Sequence, residues 1–117
     1  MRMKYLIVIG FIVGDIITGL IKAFYKEGLN STILRKGLFH KLSEIITLFG
    51  ATYIDYAMKY MELGLPAQIF NGVSIYICLM EIISISENIS AVNPKLAKLL
   101  SPYLEKIKSK DKEDTNE

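Results

Sequence analysis

The sequence predicts an all-α membrane protein. It has about three transmembrane helices, a basic amphipathic segment before the second, and an amphipathic, partly disordered cytoplasmic C-terminal region. Three observations lead there. First, 51% of the 117 residues are hydrophobic and mean hydropathy is +0.33, although 22% are charged. Second, the charge is segregated: Asp15 is the sole charge between Tyr5 and Ile21, whereas 106–117 carries eight charged residues in twelve. Third, three apolar stretches of about 17 to 20 residues each approach the length that crosses a bilayer. A soluble bundle of very apolar helices is the alternative fold.

The same arithmetic excludes several classes of protein. The length suits one domain. A lone Cys78 forms no internal disulfide, and with the lone His40 it makes no Cys/His zinc site. A net charge of +2 gives no strong positive field for nucleic acid. No Gly-rich phosphate loop follows a strand, and Ser, His and Asp are scattered. No catalytic residue, metal or cofactor is therefore expected. His40 reads as a surface or headgroup-level residue and Cys78 as a small packing residue.

Taken in order, the spans are expected at about 5–23, 45–61 and 67–86, within a membrane domain of residues 1–92. The first resembles a signal peptide in having Arg2 and Lys4 before an apolar core. However, Asp15 interrupts that core and Lys22 follows it, so it reads as a retained span. Residues 24–44 carry Lys26, Arg35, Lys36 and Lys41. Asn30 or Ser31 can cap a helix there, with Ile33, Leu34, Leu38, Leu42 and Ile45 on one face. The short connection 62–66 makes spans two and three an antiparallel hairpin. Asn93-Pro94 reads as a cap and first-turn proline, opening an amphipathic helix over 93–108. Its stripe is Leu96, Leu99, Leu100, Tyr103, Leu104 and Ile107, and Ser101-Pro102 is expected to kink or restart it. Residues 109–117 hold no apolar side chain and are expected to be disordered.

Three spans put the 24–44 loop and the C-terminal region on one side. That side holds five Lys/Arg in the loop, counting Lys22, and six after Pro94; the other holds Arg2, Lys4 and Lys59. The positive-inside rule then predicts a multi-pass protein with its N-terminus outside and its C-terminus cytoplasmic.

Polar residues within the spans are the candidate functional positions. Gly10 and Gly14 offer a close helix-packing face that Thr18 extends. Asp15, Thr18, Gly19 and Lys22 form a second stripe. Thr47, Ala51, Asp55 and Lys59 recur every four residues, with Asp55 and Lys59 ordered for a local ion pair. Asn71, Ser74, Cys78, Glu81 and Asn88 follow one seam of the third span. A buried carboxylate in hydrocarbon costs a few kcal/mol, so Asp15, Asp55 and Glu81 need partners or water. They are either paired or protonated within one bundle, or they line contacts of an oligomer and face water once it opens.

Asp15-Ile16-Ile17-Thr18-Gly19-Leu20-Ile21-Lys22-Ala23 resembles the D-x-x-T-G-x-x-x-A signature of the toxin-secretion/phage-lysis holin family. Ser31 to Lys41, with Lys36 and Gly37, is similar to that family's basic segment before its second span. Glu81-Ile82-Ile83-Ser84-Ile85-Ser86-Glu87-Asn88 resembles its E-x-x-S-I-x-E-N signature. The three motifs occur in the family's order. The resemblance implies a phage holin that oligomerises in the host cytoplasmic membrane and permeabilises it at a set time, releasing endolysin or a toxin. Its implied partners are itself, the lipid bilayer and an antiholin, with a functional link to an endolysin that needs no direct contact. The competing readings are an antiholin or regulatory membrane subunit and a small ion-conducting membrane protein. Met1 and Met3 flank Arg2 as in the dual-start pattern of some holins, in which the longer product inhibits the shorter.

Overall fold

The structure, a computed structural model, describes residues 2–26, 28, 30–64 and 68–116, with the side chains of 111 and 113–116 excepted. It is helical, with α1 at Arg2–Lys26, α2 at Ser31–Tyr60, α3 at Ile69–Val92 and α4 at Pro94–Asn116. No strand occurs among the described residues.

The helix ends follow from local chemistry. Beyond α1, the Gly28 N–H donates to the Ala23 carbonyl at 2.7 Å, and Gly28 takes φ 83°, which a residue without Cβ adopts freely. At the end of α2, Glu62 adopts the left-handed conformation (φ 51°) and the Leu63 N–H reaches the Met58 carbonyl at 3.4 Å. This is a Schellman closure without its usual glycine. Asn93 ends α3 by donating to the Ile89 carbonyl at 2.8 Å. It then caps α4, its Oδ1 accepting the Lys95 N–H at 3.2 Å.

α4 is helical through Pro102 and on to Asn116. Pro102 has no N–H to give the Lys98 carbonyl, and the Ser101 hydroxyl donates to that carbonyl instead at 3.4 Å. Beyond Pro102 there is no further Pro or Gly, and Lys and Glu are good helix formers, so nothing local stops the helix. Two described helices are long and apolar enough to cross a bilayer, α1 and α3, with mean hydropathy of 2.1 and 1.7. α2 has 30 residues but falls short of that apolarity because Glu44, Asp55 and Lys59 interrupt it.

The chain forms two compact units, Ser31–Ile77 on one hand and Met1–Asn30 with Cys78–Glu117 on the other. In the first, Asp55 of α2 bonds to the backbone at the start of α3. In the second, Gly14 lies against Ile85, Asp15 bonds to Ser84 and Asn88, and Thr18 bonds to Asn88. The paired positions rise together, so α1 and α3 run parallel. α4 turns back toward α3, since Lys108 reaches Glu87 at 3.8 Å.

α1 covers Asp15 together with Val8 and Ile12 and leaves a wholly apolar side open. Asp15 is 7% exposed, whereas Ile17 and Ile21 on the outer side are each 52% exposed, as are Leu6, Ile7, Ile9 and Val13 to similar degrees. In water this distribution would leave a continuous apolar surface unburied. In hydrocarbon it costs nothing, because lipid tails solvate the isoleucines while the helices satisfy the polar groups.

Candidate functional site

Two of the sequence motifs, at 15–23 and 81–88, meet in one polar cluster. Asp15 lies on the covered side of α1, one turn after Ile12, which is 2% exposed. Its Oδ1 accepts the Ser84 hydroxyl at 2.6 Å and the Asn88 Nδ2–H at 2.9 Å. Asn88 also donates to the Thr18 hydroxyl oxygen at 3.1 Å, while that hydroxyl donates back to the Gly14 and Asp15 carbonyls at 2.9 and 3.2 Å. Every polar atom named here therefore has a partner without water. The helices come closest at Gly14, whereas Gly19 leaves ordinary contact room. A Cβ on Gly14 would sit 3.3 Å from Ile85 Cδ1, and one on Gly19 would sit 3.7 Å from Asn88 Nδ2. Ala23 ends the α1 motif with its carbonyl in the Gly28 closure rather than in the cluster.

Asp55 does a different job from the local ion pair expected with Lys59. Its Oδ1 accepts the Ile69 N–H and its Oδ2 the Phe70 N–H, each at 2.9 Å. The carboxylate of α2 thus caps the start of α3, satisfying two donors that have no partner within the helix and offsetting the positive end of its dipole. Lys59 stands instead 5.5 Å from the centre of the Tyr60 ring. The covered line on α2 is Leu48, Ala51, Thr52 and Asp55. Thr47, placed by sequence on that line, is exposed and bonds to the Ser43 carbonyl at 2.8 Å.

The third-span seam divides. Ser74 and Glu81 are buried at 7% and 2% exposure, Cys78 and Asn88 are half-buried, and Asn71 is exposed. Ser74 Oγ is a buried atom without a hydrogen-bond partner. Gly10 faces open space, so within this chain only Gly14 of the small-residue pair makes a close contact. In the basic segment Lys36 and Gly37 are exposed, and Lys41 Nζ is 4.0 Å from Glu44 Oε1. Glu87 pairs with Lys108. Met3 is exposed at the start of α1; Met1 lies outside the described residues.

Glu44 was not among the sequence candidates. Its Oε1 accepts from His40 Nε2 at 2.9 Å, while its Oε2 is buried without a hydrogen-bond partner. The signal for it was its place one turn after His40 and one residue before the apolar run of the second span. Among the described residues no group of three or more His, Cys, Asp or Glu side chains is placed to hold a metal ion.

Parallel apolar helices, closed against each other by a carboxylate–hydroxyl–amide cluster, define a small all-α membrane protein whose polar groups serve helix contacts. The model of the bacteriophage holin family matches residues 2–109, and the chain belongs to that family. No curated protein and no solved structure matches it. Proteins of this family permeabilise membranes and are not enzymes.

Proposed function

We propose that this chain is a phage holin that assembles laterally in the host cytoplasmic membrane and opens it, so that an endolysin crosses to the cell wall. The observation that carries this reading is the Asp15–Ser84–Asn88 cluster beneath an apolar outer surface. While α1 and α3 pair, the cluster is satisfied and the chain is compatible with an intact bilayer. When the helices separate or exchange partners in an assembly, the same groups are able to face water, as the wall of a lesion requires. Gly10, with open space beside it, is a free small-residue face for contact between copies.

We read α2 as a third span. The support is topological: if α1 and α3 cross the membrane in parallel, the chain between them has to return. α2, about 45 Å long at 1.5 Å per residue, exceeds the 30 Å hydrocarbon core. Polar groups are costly there, but two of them are offset, Asp55 by the α3 amides and Thr52 by the Leu48 carbonyl at 3.0 Å. The excess of Lys/Arg in the α1–α2 connection and after Pro94 orients the chain with its N-terminus outside and α4 in the cytoplasm.

Inducible expression in a bacterium tests this, following membrane potential and culture density with and without a cytoplasmic endolysin. The expected result is collapse of the potential followed by endolysin-dependent lysis. Continued growth without depolarisation would reject the holin role and leave a regulatory subunit, the antiholin reading. Depolarisation without endolysin-dependent lysis would leave the small ion conductor.

A further inference from the structure

We propose that α4 lies on the membrane surface next to the end of α3, with Leu96, Leu99 and Tyr103 in the apolar boundary and Lys95, Lys106 and Lys110 binding anionic phospholipid headgroups. The proposal rests on the membrane reading above and adds a ligand class to a segment that reading does not use.

α4 carries two apolar stripes rather than one. Ala97, Leu100, Leu104 and Ile107, spaced three, four and three residues apart, are half-buried and form its covered side. Leu96, Leu99 and Tyr103 repeat the spacing on a neighbouring side and are 40%, 68% and 67% exposed. Lys106 and Lys110 follow Leu99 and Tyr103 two turns on, and Lys95 precedes Leu99 by one turn, so the cations continue the open stripe. Residues 94–110 hold five lysines and one acid, Glu105, which projects to the other side of the helix. An apolar stripe edged by lysines fits a surface that is apolar below and anionic above.

The level of α4 agrees. About 27 Å of helix separates Ile69 from Glu87, so if α3 enters the hydrocarbon near Ile69 then Glu87 sits close to its far edge. Lys108 bonds to Glu87, which brings α4 to that same level. There a tyrosine is at home, and lysine stems lie along the apolar boundary while their ammonium groups reach phosphate. A second copy of α4 is a poorer occupant, because it would bring two sets of the same lysines together.

The chain has no tryptophan, so Tyr103→Trp gives a single reporter in the full-length protein. It is reconstituted in phosphatidylcholine vesicles with and without phosphatidylglycerol. With phosphatidylglycerol the emission should shift to the blue, be quenched by lipids spin-labelled near the headgroup, and resist aqueous acrylamide. High salt should reverse this. Each of Lys95→Gln, Lys106→Gln and Lys110→Gln should lower the ratio of lipid-bound to water-exposed reporter by roughly fivefold. Equal acrylamide quenching in both lipids would overturn the proposal, as would protection that survives all three replacements. Protection that fades as protein is diluted into excess lipid would assign the stripe to a second copy instead. Flotation of the same vesicles reports insertion separately, and a protein that fails to insert would overturn the membrane reading along with this one.

Discussion

Ser84 and Asp15, 69 positions apart in the chain, are joined by a 2.6 Å hydrogen bond between two membrane-compatible helices. Asn88 adds a second donor to the same carboxylate oxygen at 2.9 Å. A hydroxyl and an amide thus meet the cost of one acidic side chain in apolar surroundings, and the bonds fix the register of α1 against α3.

Removing those donors should loosen the helix pair without preventing insertion. Ser84→Ala and Asn88→Ala are each expected to cost about 0.5–1.5 kcal/mol in unfolding from mixed micelles. Because the cluster holds the closed arrangement, both should advance the onset of permeabilisation at equal membrane abundance. Unchanged lysis times would show that the cluster does not govern opening.

Gly14 and Gly10 should separate contacts within the chain from contacts between chains. A leucine at Gly14 meets Ile85 and should disturb the fold of the single chain, whereas Gly10→Leu has room and should leave it intact. If Gly10 serves lateral assembly, Gly10→Leu will reduce crosslinking between copies while thermal unfolding stays at the parent value. Parent-level crosslinking would remove Gly10 from the interface.

Asp55 should matter as a cap rather than as one half of an ion pair. Asp55→Leu leaves the Ile69 and Phe70 amides without acceptors and should cost about 1–2 kcal/mol, with faster hydrogen exchange at the first turn of α3. Asp55→Asn keeps one acceptor and should lie between Leu and the parent. Lys59→Met should leave that exchange unchanged; an acceleration matching Asp55→Leu would restore the ion-pair account.

Glu62 is held at φ 51°, a conformation that L side chains adopt at a cost. Glu62→Gly should therefore stabilise the α2 terminus by about 0.5–1 kcal/mol, seen as a higher unfolding midpoint. A lower midpoint would mean that the glutamate side chain makes a contact worth more than the strain.

Some of this was legible in the sequence because it is local. The 19-residue apolar run around Asp15 makes α1 whatever else folds around it. The Asn93-Pro94 cap works within one turn, and both appear as expected. The helical continuation of α4 past Pro102 is also local in origin: Lys-rich and Glu-containing sequence without Gly or Pro propagates a helix already begun at Pro94.

The residues that are expensive in hydrocarbon are legible without a fold: Asp15, Asp55 and Glu81 stand out because hydrophobic neighbours make a carboxylate conspicuous. Which donors Asp15 and Asp55 meet is set by the tertiary structure. Asp15 found Ser84 and Asn88 across a parallel helix pair, while Asp55 turned from the lysine one turn away to the two free amides at the start of α3. The physical reason is that a buried carboxylate is stabilised by whichever donors the fold leaves unsatisfied beside it. Those donors are set by helix ends and helix register, and neither is written at the position of the acid itself.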